Sequence, residues 1–212
     1  MFSVIFDMDG TLLDSQSIYI PAWDYAGENQ SISDMGINIP NVCGMNEKGW
    51  TDYLIKNFKD LNIAKFKEDV RYFLDENDKT KLKKGAMELL KFLKENNIKT
   101  AVASGSETAS IIERLKEVDA LNYFDAFTGG SDVKNGKPAP DIFLRAASLI
   151  ETKPEECFVF EDSANGILAG TDAGMKCIGI PDIIGFPDEI KKILFAELDD
   201  LSQGIPLLKK YI

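Results

Sequence analysis

The chain has 212 residues, 44% of them hydrophobic, enough for one large domain or for a core with a second piece inserted into it. Its 24 basic and 35 acidic residues leave a net charge of -11, so neither nucleic acid nor an anionic membrane surface is an expected partner. There is no histidine, which excludes Ser/His/Asp triads, Cys/His dyads and His-bound zinc, and leaves acid–base work near neutral pH to carboxylates, Lys, Tyr or Cys.

In chain order, "VIF" reads as a buried strand that runs straight into Asp7, with Asp9 two positions on and a sharp turn at Gly10. Asp14 is expected to be a linker or helix N-cap residue rather than a ligand. Between Asp14 and Lys81 no buried strand is expected. "SIYIPAWDYAGEN", "NEKGWTDYLIKNF" and "IAKFKEDVRYFLDEN" all have helical periodicity, although Pro21 and Gly49 weaken the first two. From Lys84 the pattern alternates. "GAMELLKFLKENN" is helical, "KTAVAS" is a short strand ending at Ser104, "ETASIIERLKEV" is helical and "DAFTGG" is a strand. "DIFLRAASLI" is helical after Pro140, "CFVF" is a strand ended by Glu161 and Asp162, "NGILAGTDAG" is helical, and "KCIGI" is a further strand. Alternating strands and helices imply an α/β fold, a doubly wound parallel sheet of Rossmann-like type. A small helical domain is inserted after its first strand. The expected domains are 1–14 with 82–212 as the core, and 15–81 as the insert.

Cys43, Cys157 and Cys177 form no C-x-x-C pair and read as reduced, buried thiols of a reducing compartment. No basic and apolar leader precedes Asp7, and no run of about 18 apolar residues exists. A soluble, cytoplasmic protein is expected.

Ligands of an open parallel sheet sit at the carboxyl ends of its strands. Those ends collect Asp7 and Asp9, Ser104, and Glu161 with Asp162, while Lys137 follows the "FTGG" strand. Carboxylates gathered in a cleft repel one another unless a cation neutralises them, and an all-oxygen donor set beside phosphate suits Mg²⁺. A phosphate monoester fits. One carboxylate could attack phosphorus and another protonate the leaving oxygen, while Ser104, Lys137 and backbone N–H groups near Met8–Gly10 hold the phosphoryl oxygens.

Four motifs then carry a resemblance. "DMDGT" at Asp7–Thr11, "ASGS" at Ala103–Ser106, "GKPAPDIF" at Gly136–Phe143 and "FEDSANGILAGTDAGM" at Phe160–Met175 stand in the order found in the haloacid dehalogenase (HAD) superfamily. The chain resembles its subfamily I, the branch of β-phosphoglucomutase-like and phosphoglycolate-phosphatase-like hydrolases. The resemblance implies Asp7 as nucleophile, forming an aspartyl-phosphate, and Asp9 as general acid and later base. It implies Thr11 as a support of Asp9, and Met8, Gly10, Thr11, Ser104 and Lys137 around the phosphate. Mg²⁺ would be held by Asp7, the Asp9 backbone carbonyl and Asp162, with Glu161 in or next to the shell. The insert becomes a cap that selects the leaving group, with Tyr19, Trp23, Met45, Asn46 and Lys48 as candidate substrate contacts. For the aromatic residues, packing inside the cap is an equal alternative.

The sequence departs from β-phosphoglucomutases at two cap positions. Tyr19 stands where they carry a histidine, and Glu47 where they carry an arginine that grips a second phosphate. Both losses favour a phosphatase acting on a small phosphomonoester, a sugar phosphate in the first instance. The alternatives are a sugar phosphomutase, a dehalogenase, and a ligand-sensing protein that retains the fold. One complete site per chain lets a monomer function.

Overall fold

The computed structural model describes residues 2–42, 47–77 and 79–212. It divides into two compact units, Met1–Asp14 with Thr80–Ile212, and Ser15–Lys79.

In the first unit the strands are β1 (Ser3–Phe6), β2 (Thr100–Ala103), β3 (Ala126–Thr128), β4 (Cys157–Glu161), β5 (Lys176–Gly179) and β6 (Ala196–Glu197). Among the described residues they form one six-stranded sheet of order β3-β2-β1-β4-β5-β6, parallel at every pairing. β1 is central because its four residues are all buried, which suits a strand covered on both faces. Its side chains alternate. Val4 and Phe6 join one apolar cluster with Leu89, Leu93 and Phe160, while Ile5 joins another with Phe143, Ala146 and Val159. The register sets Ile5 beside Ala101 of β2 and Val159 of β4, so the carboxyl ends of these strands lie level.

Among the described residues the α-helices are α1 (Tyr19–Glu28), α2 (Ile39–Val42), α3 (Glu47–Asn57), α4 (Ile63–Asn77), α5 (Ala86–Glu95), α6 (Thr108–Glu117), α7 (Asp141–Leu149), α8 (Ala164–Asp172), α9 (Asp188–Lys191) and α10 (Gly204–Leu208). The expected doubly wound parallel sheet is therefore present. β6 and the helices beyond Gly179 have no counterpart in the expected elements. β6 is two residues long, too short for a period to register.

The second unit holds α1 to α4. Pro21 does not break α1, because it lies in the first turn, where backbone N–H groups have no intrahelical acceptor. Trp23, buried on α1, meets Phe66 of α4 edge-on at 5.3 Å and Trp50 of α3 at 6.0 Å between ring centroids. Asp24 Oδ1 accepts from the Gly36 N–H at 2.7 Å and so ties the loop back to α1.

The first unit retains both strands of the connection. The Asp14 N–H donates to the Lys81 carbonyl and the Lys83 N–H to the Leu12 carbonyl, with Leu13 bridged to Leu82. Asp14 is thus an extended connector residue here and caps no helix.

Candidate active site

Asp7 follows β1 directly and keeps its register, its N–H donating to the Phe160 carbonyl at 2.9 Å. The chain then turns back. The Leu12 and Leu13 N–H groups donate to the Met8 carbonyl, and Gly10 sits at φ +84°, where a β-carbon would be strained. The Gly10 N–H donates to the Leu13 carbonyl and closes this turn. In this structure the turn thus engages the Gly10 N–H.

Lys137 bridges two carboxylates. Its Nζ lies 2.5 Å from Asp7 Oδ1 and 2.7 Å from Glu161 Oε1, and 4.9 Å from the centre of the Phe143 ring. Glu161 is the last residue of β4 and is fully buried. Its other oxygen, Oε2, accepts from the Ser163 N–H at 2.6 Å and the Ser163 hydroxyl at 2.8 Å. Ser163 Oγ in turn caps α8 by accepting from the Gly166 N–H at 3.0 Å. Gly166 makes the room, because a Cβ there would stand 1.9 Å from Glu161 Cδ. Asp162, next along, accepts from the buried Thr11 hydroxyl at 3.2 Å. Among the described residues, carboxylate oxygens of Asp7, Glu161 and Asp162 all lie within 4.8 Å of one another.

The electrostatics of this cluster follow from burial. Desolvation holds the Asp7 carboxyl well above its ordinary range, against the pull of Lys137 and with the push of Glu161 and Asp162. Asp162 is pushed up to about 7, first by burial and then by Glu161 and Asp182. Burial would lower the Lys137 ammonium, but Asp7 and Glu161 outweigh it and its pKa lies above the ordinary value. One ammonium faces three carboxylates, and the remaining negative charge is what a divalent cation would neutralise.

Asp9 is held separately. Arg114 of α6 pairs with its Oδ1, and the Ser106 hydroxyl donates to its Oδ2 at 3.0 Å. Thr11, expected to support Asp9, donates to Asp162 instead, because the turn at Gly10 carries its hydroxyl to the β4 side. Ser104 is buried at the end of β2, where its Oγ accepts from the Ser106 N–H at 3.1 Å.

The structure therefore brings Asp7, Thr11, Lys137, Glu161 and Asp162 together, with Asp9 and Ser104 each in contact with Ser106. Met8 is beside them in the chain with its side chain fully buried. Arg114, Ser106, Ser163 and Gly166 were not singled out from the sequence. Ser106 closes the second motif, although its partner Asp9 is 97 positions away, and the partner of Arg114 is 105 positions away, a separation that leaves no local pattern. Ser163 and Gly166 lie inside the fourth motif, and the N-cap serine three residues before its glycine was a readable signal.

Of the residues expected to touch substrate from the insert, Trp23 is enclosed by Phe66 and Trp50. Tyr19 opens α1 and is 41% exposed. Met45 and Asn46 lie outside the described residues, as does the side chain of Lys48.

The haloacid dehalogenase-like hydrolase profile matches residues 3–174, a span that contains all of the site residues above. The chain belongs to the haloacid dehalogenase-like hydrolase family. It is 34% identical over 187 residues to a phosphorylated carbohydrates phosphatase of Thermotoga maritima, covering 84% of each chain. It is 31% identical over 197 residues to a β-phosphoglucomutase of Bacillus subtilis, covering 85% of this chain and 83% of that one. A HAD family hydrolase from Deinococcus radiodurans R1 has the same fold, with a TM-score of 0.87 over 99% of this chain and 96% of that one at 24% identity. As a member, the chain is a HAD-family enzyme of the hydrolase class. Among the described residues no helix is long and apolar enough to cross a membrane.

Proposed function

We propose that this HAD hydrolase is a Mg²⁺-dependent phosphatase of a small phosphorylated metabolite, a sugar phosphate by class, and that it works through an aspartyl-phosphate on Asp7. The observation that carries this reading is the setting of Asp7. One of its oxygens meets the Lys137 ammonium, and its buried carboxylate clusters with those of Asp162 and the buried Glu161. The substrate class draws support from the name of the Thermotoga maritima relative.

In this mechanism Asp7 attacks phosphorus in line and the P–O bond to the leaving alcohol breaks, with Asp9 giving its proton to the leaving oxygen. Water then attacks phosphorus and passes a proton to Asp9. The bond to Asp7 breaks, phosphate departs and the Asp7 carboxylate is restored. Lys137 binds the transferring group and Glu161 anchors Lys137 from behind, both Glu161 oxygens being engaged by Lys137 and Ser163. The Ser104 oxygen accepts from Ser106, which leaves its proton to donate to the phosphoryl group. The backbone N–H of Met8 is the further donor in this reading.

The donor set fits a hard divalent cation. Carboxylate oxygens of Asp7, Glu161 and Asp162 cluster within 4.8 Å, and burial, reinforced by the neighbouring carboxylates, holds the carboxyls of Asp7 and Asp162 above their ordinary range. Asp7, Asp162 and the Asp9 carbonyl would hold Mg²⁺, with Glu161 beside them. When bound it would neutralise charge on the phosphoryl oxygens.

The helical unit Ser15–Lys79 is the element we assign to leaving-group selection, supported by its compactness as a separate unit within the chain. A cytoplasmic monomer, with a phosphomonoester metabolite as its partner, completes the reading. The β-phosphoglucomutase of Bacillus subtilis keeps phosphomutase activity as the second reading. Tyr19 and Glu47, at the positions where mutases carry histidine and arginine, weigh against it.

The test is a panel of phosphorylated metabolites with Mg²⁺. At least one sugar phosphate should be hydrolysed, and Asp7→Asn and EDTA should each abolish turnover. Full activity in Asp7→Asn would sink the nucleophile assignment. Conversion of β-glucose 1-phosphate to glucose 6-phosphate, primed by a bisphosphate, would move the assignment to the mutase.

A further inference from the structure

Asp9 stands apart from the cluster of Asp7, Glu161 and Asp162. Its two side-chain partners, Ser106 and Arg114, both lie in the segment that follows β2. In the sheet β2 flanks β1 on one side and β4, which ends in Glu161, flanks it on the other. The Asp9 carboxyl is therefore drawn toward the β2 side, away from the carboxylate cluster.

Arg114 is no ordinary surface cation. Only 20% of its side chain is exposed, and Asp9 itself is 34% exposed. Holding a long arginine side chain in one partly buried geometry costs rotamer freedom, so this one is held by what it binds. The two partners also differ chemically. A guanidinium can only donate, which keeps Asp9 Oδ1 an acceptor throughout. A serine hydroxyl can donate or accept, which leaves Oδ2 as the oxygen able to exchange a proton with a reacting group.

We propose that Arg114 is a positioning residue for Asp9, holding its carboxyl on the leaving-group side of the reaction and out of the carboxylate cluster, with Ser106 as the second support. The proposal rests on the phosphatase reading above. Freed of Arg114, the Asp9 side chain would rotate about its own torsions and no longer be held where it can serve the leaving oxygen.

The experiment compares kcat/KM of the full chain with Mg²⁺ on p-nitrophenyl phosphate and on an alkyl phosphate of the sugar class. This ratio reports only steps up to departure of the leaving group, so the later role of Asp9 toward water does not enter. A p-nitrophenolate leaves without a proton, whereas an alkoxide needs one. Arg114→Ala should lower kcat/KM on the alkyl ester by roughly 30–100-fold and on the aryl ester by no more than about 5-fold. Arg114→Lys keeps a donor and should recover part of the alkyl-ester loss; it also serves if the alanine variant folds poorly. Equal losses on both esters, or no loss on either, would overturn the positioning role while leaving the phosphatase reading intact. A wild-type chain inactive on both esters would overturn that reading, and this proposal with it.

Discussion

Replacing Gly166 with alanine should destabilise this protein, although the same change in an exposed helix usually does the reverse. Gly166 lies in the first turn of α8, where alanine would ordinarily gain up to about 1 kcal/mol in helix propensity. Here the new methyl group would stand 1.9 Å from Glu161 Cδ and 2.0 and 2.3 Å from its carboxylate oxygens. Glu161 is 1% exposed and cannot step aside into solvent. Overpacking of a filled site costs about 1–3 kcal/mol. Pulling Glu161 off Lys137 also removes one of the two carboxylates around a buried ammonium, and losing a partner from a buried pair costs about 3–5 kcal/mol when it is complete. Set against the propensity gain, a net loss of about 2 kcal/mol is a conservative expectation. For a chain of this size that lowers Tm by roughly 4–8 °C. Because Lys137 loses its rear anchor, phosphatase kcat/KM should fall by about 10–100-fold. Circular-dichroism melts and a phosphatase assay measure both, with Gly185→Ala for comparison, since a Cβ there meets nothing within 4 Å. A Gly166→Ala variant that melts at or above wild type with unchanged activity would refute the account of Glu161.

Stability without metal should depend on pH through Asp162. Its folded pKa of about 7 lies above the ordinary 3.8, so its contribution is complete below about pH 4 and is lost as pH rises through 7. The loss amounts to at most about 4 kcal/mol. Mg²⁺ opposes it, so the Tm gain from Mg²⁺ should be larger at pH 8 than at pH 5.5, and an increment independent of pH would contradict the metal assignment. Trp23→Ala should lower the melting temperature of the helical unit, at a cost of about 3–5 kcal/mol for a buried aromatic ring. A raised KM with an unchanged melt would instead make Trp23 a substrate contact. Cys157 and Cys177 should stay unreactive to Ellman's reagent in the native protein and react once unfolded. Burial pushes their thiols to about 12 and about 11, and fast labelling of either in the folded chain would contradict that.

The parallel sheet was legible because each of its longer strands is a short apolar run bounded by polar or glycine residues, as in "CFVF" before Glu161 and "TAVA" before Ser104. The carboxylates were legible for the same reason, since a strand end fixes where the next side chain emerges. Trp23 shows the limit. Its helical setting was apparent, but helical spacing does not distinguish a ring facing a ligand from one facing Phe66. Thr11 shows another. A position four after Asp7 permits contact with Asp9 or Asp162, and the turn at Gly10 chose Asp162.

From its sequence alone this protein's chemistry-bearing residues could be set in order along the strands, with oxygen ligands and one ammonium at their carboxyl ends. Strand length, polarity and turn residues are local properties, and local properties are what a sequence exposes. The partner of each group was decided only in the tertiary structure. Lys137 reaches Asp7 across 130 positions, Thr11 reaches Asp162 across 151, and Arg114 reaches Asp9 across 105. Those pairings depend on which strands become neighbours and on whether a glycine such as Gly166 leaves room for a carboxylate. They separate the clustered carboxylates of Asp7, Glu161 and Asp162 from that of Asp9, which pairs with Arg114 and Ser106.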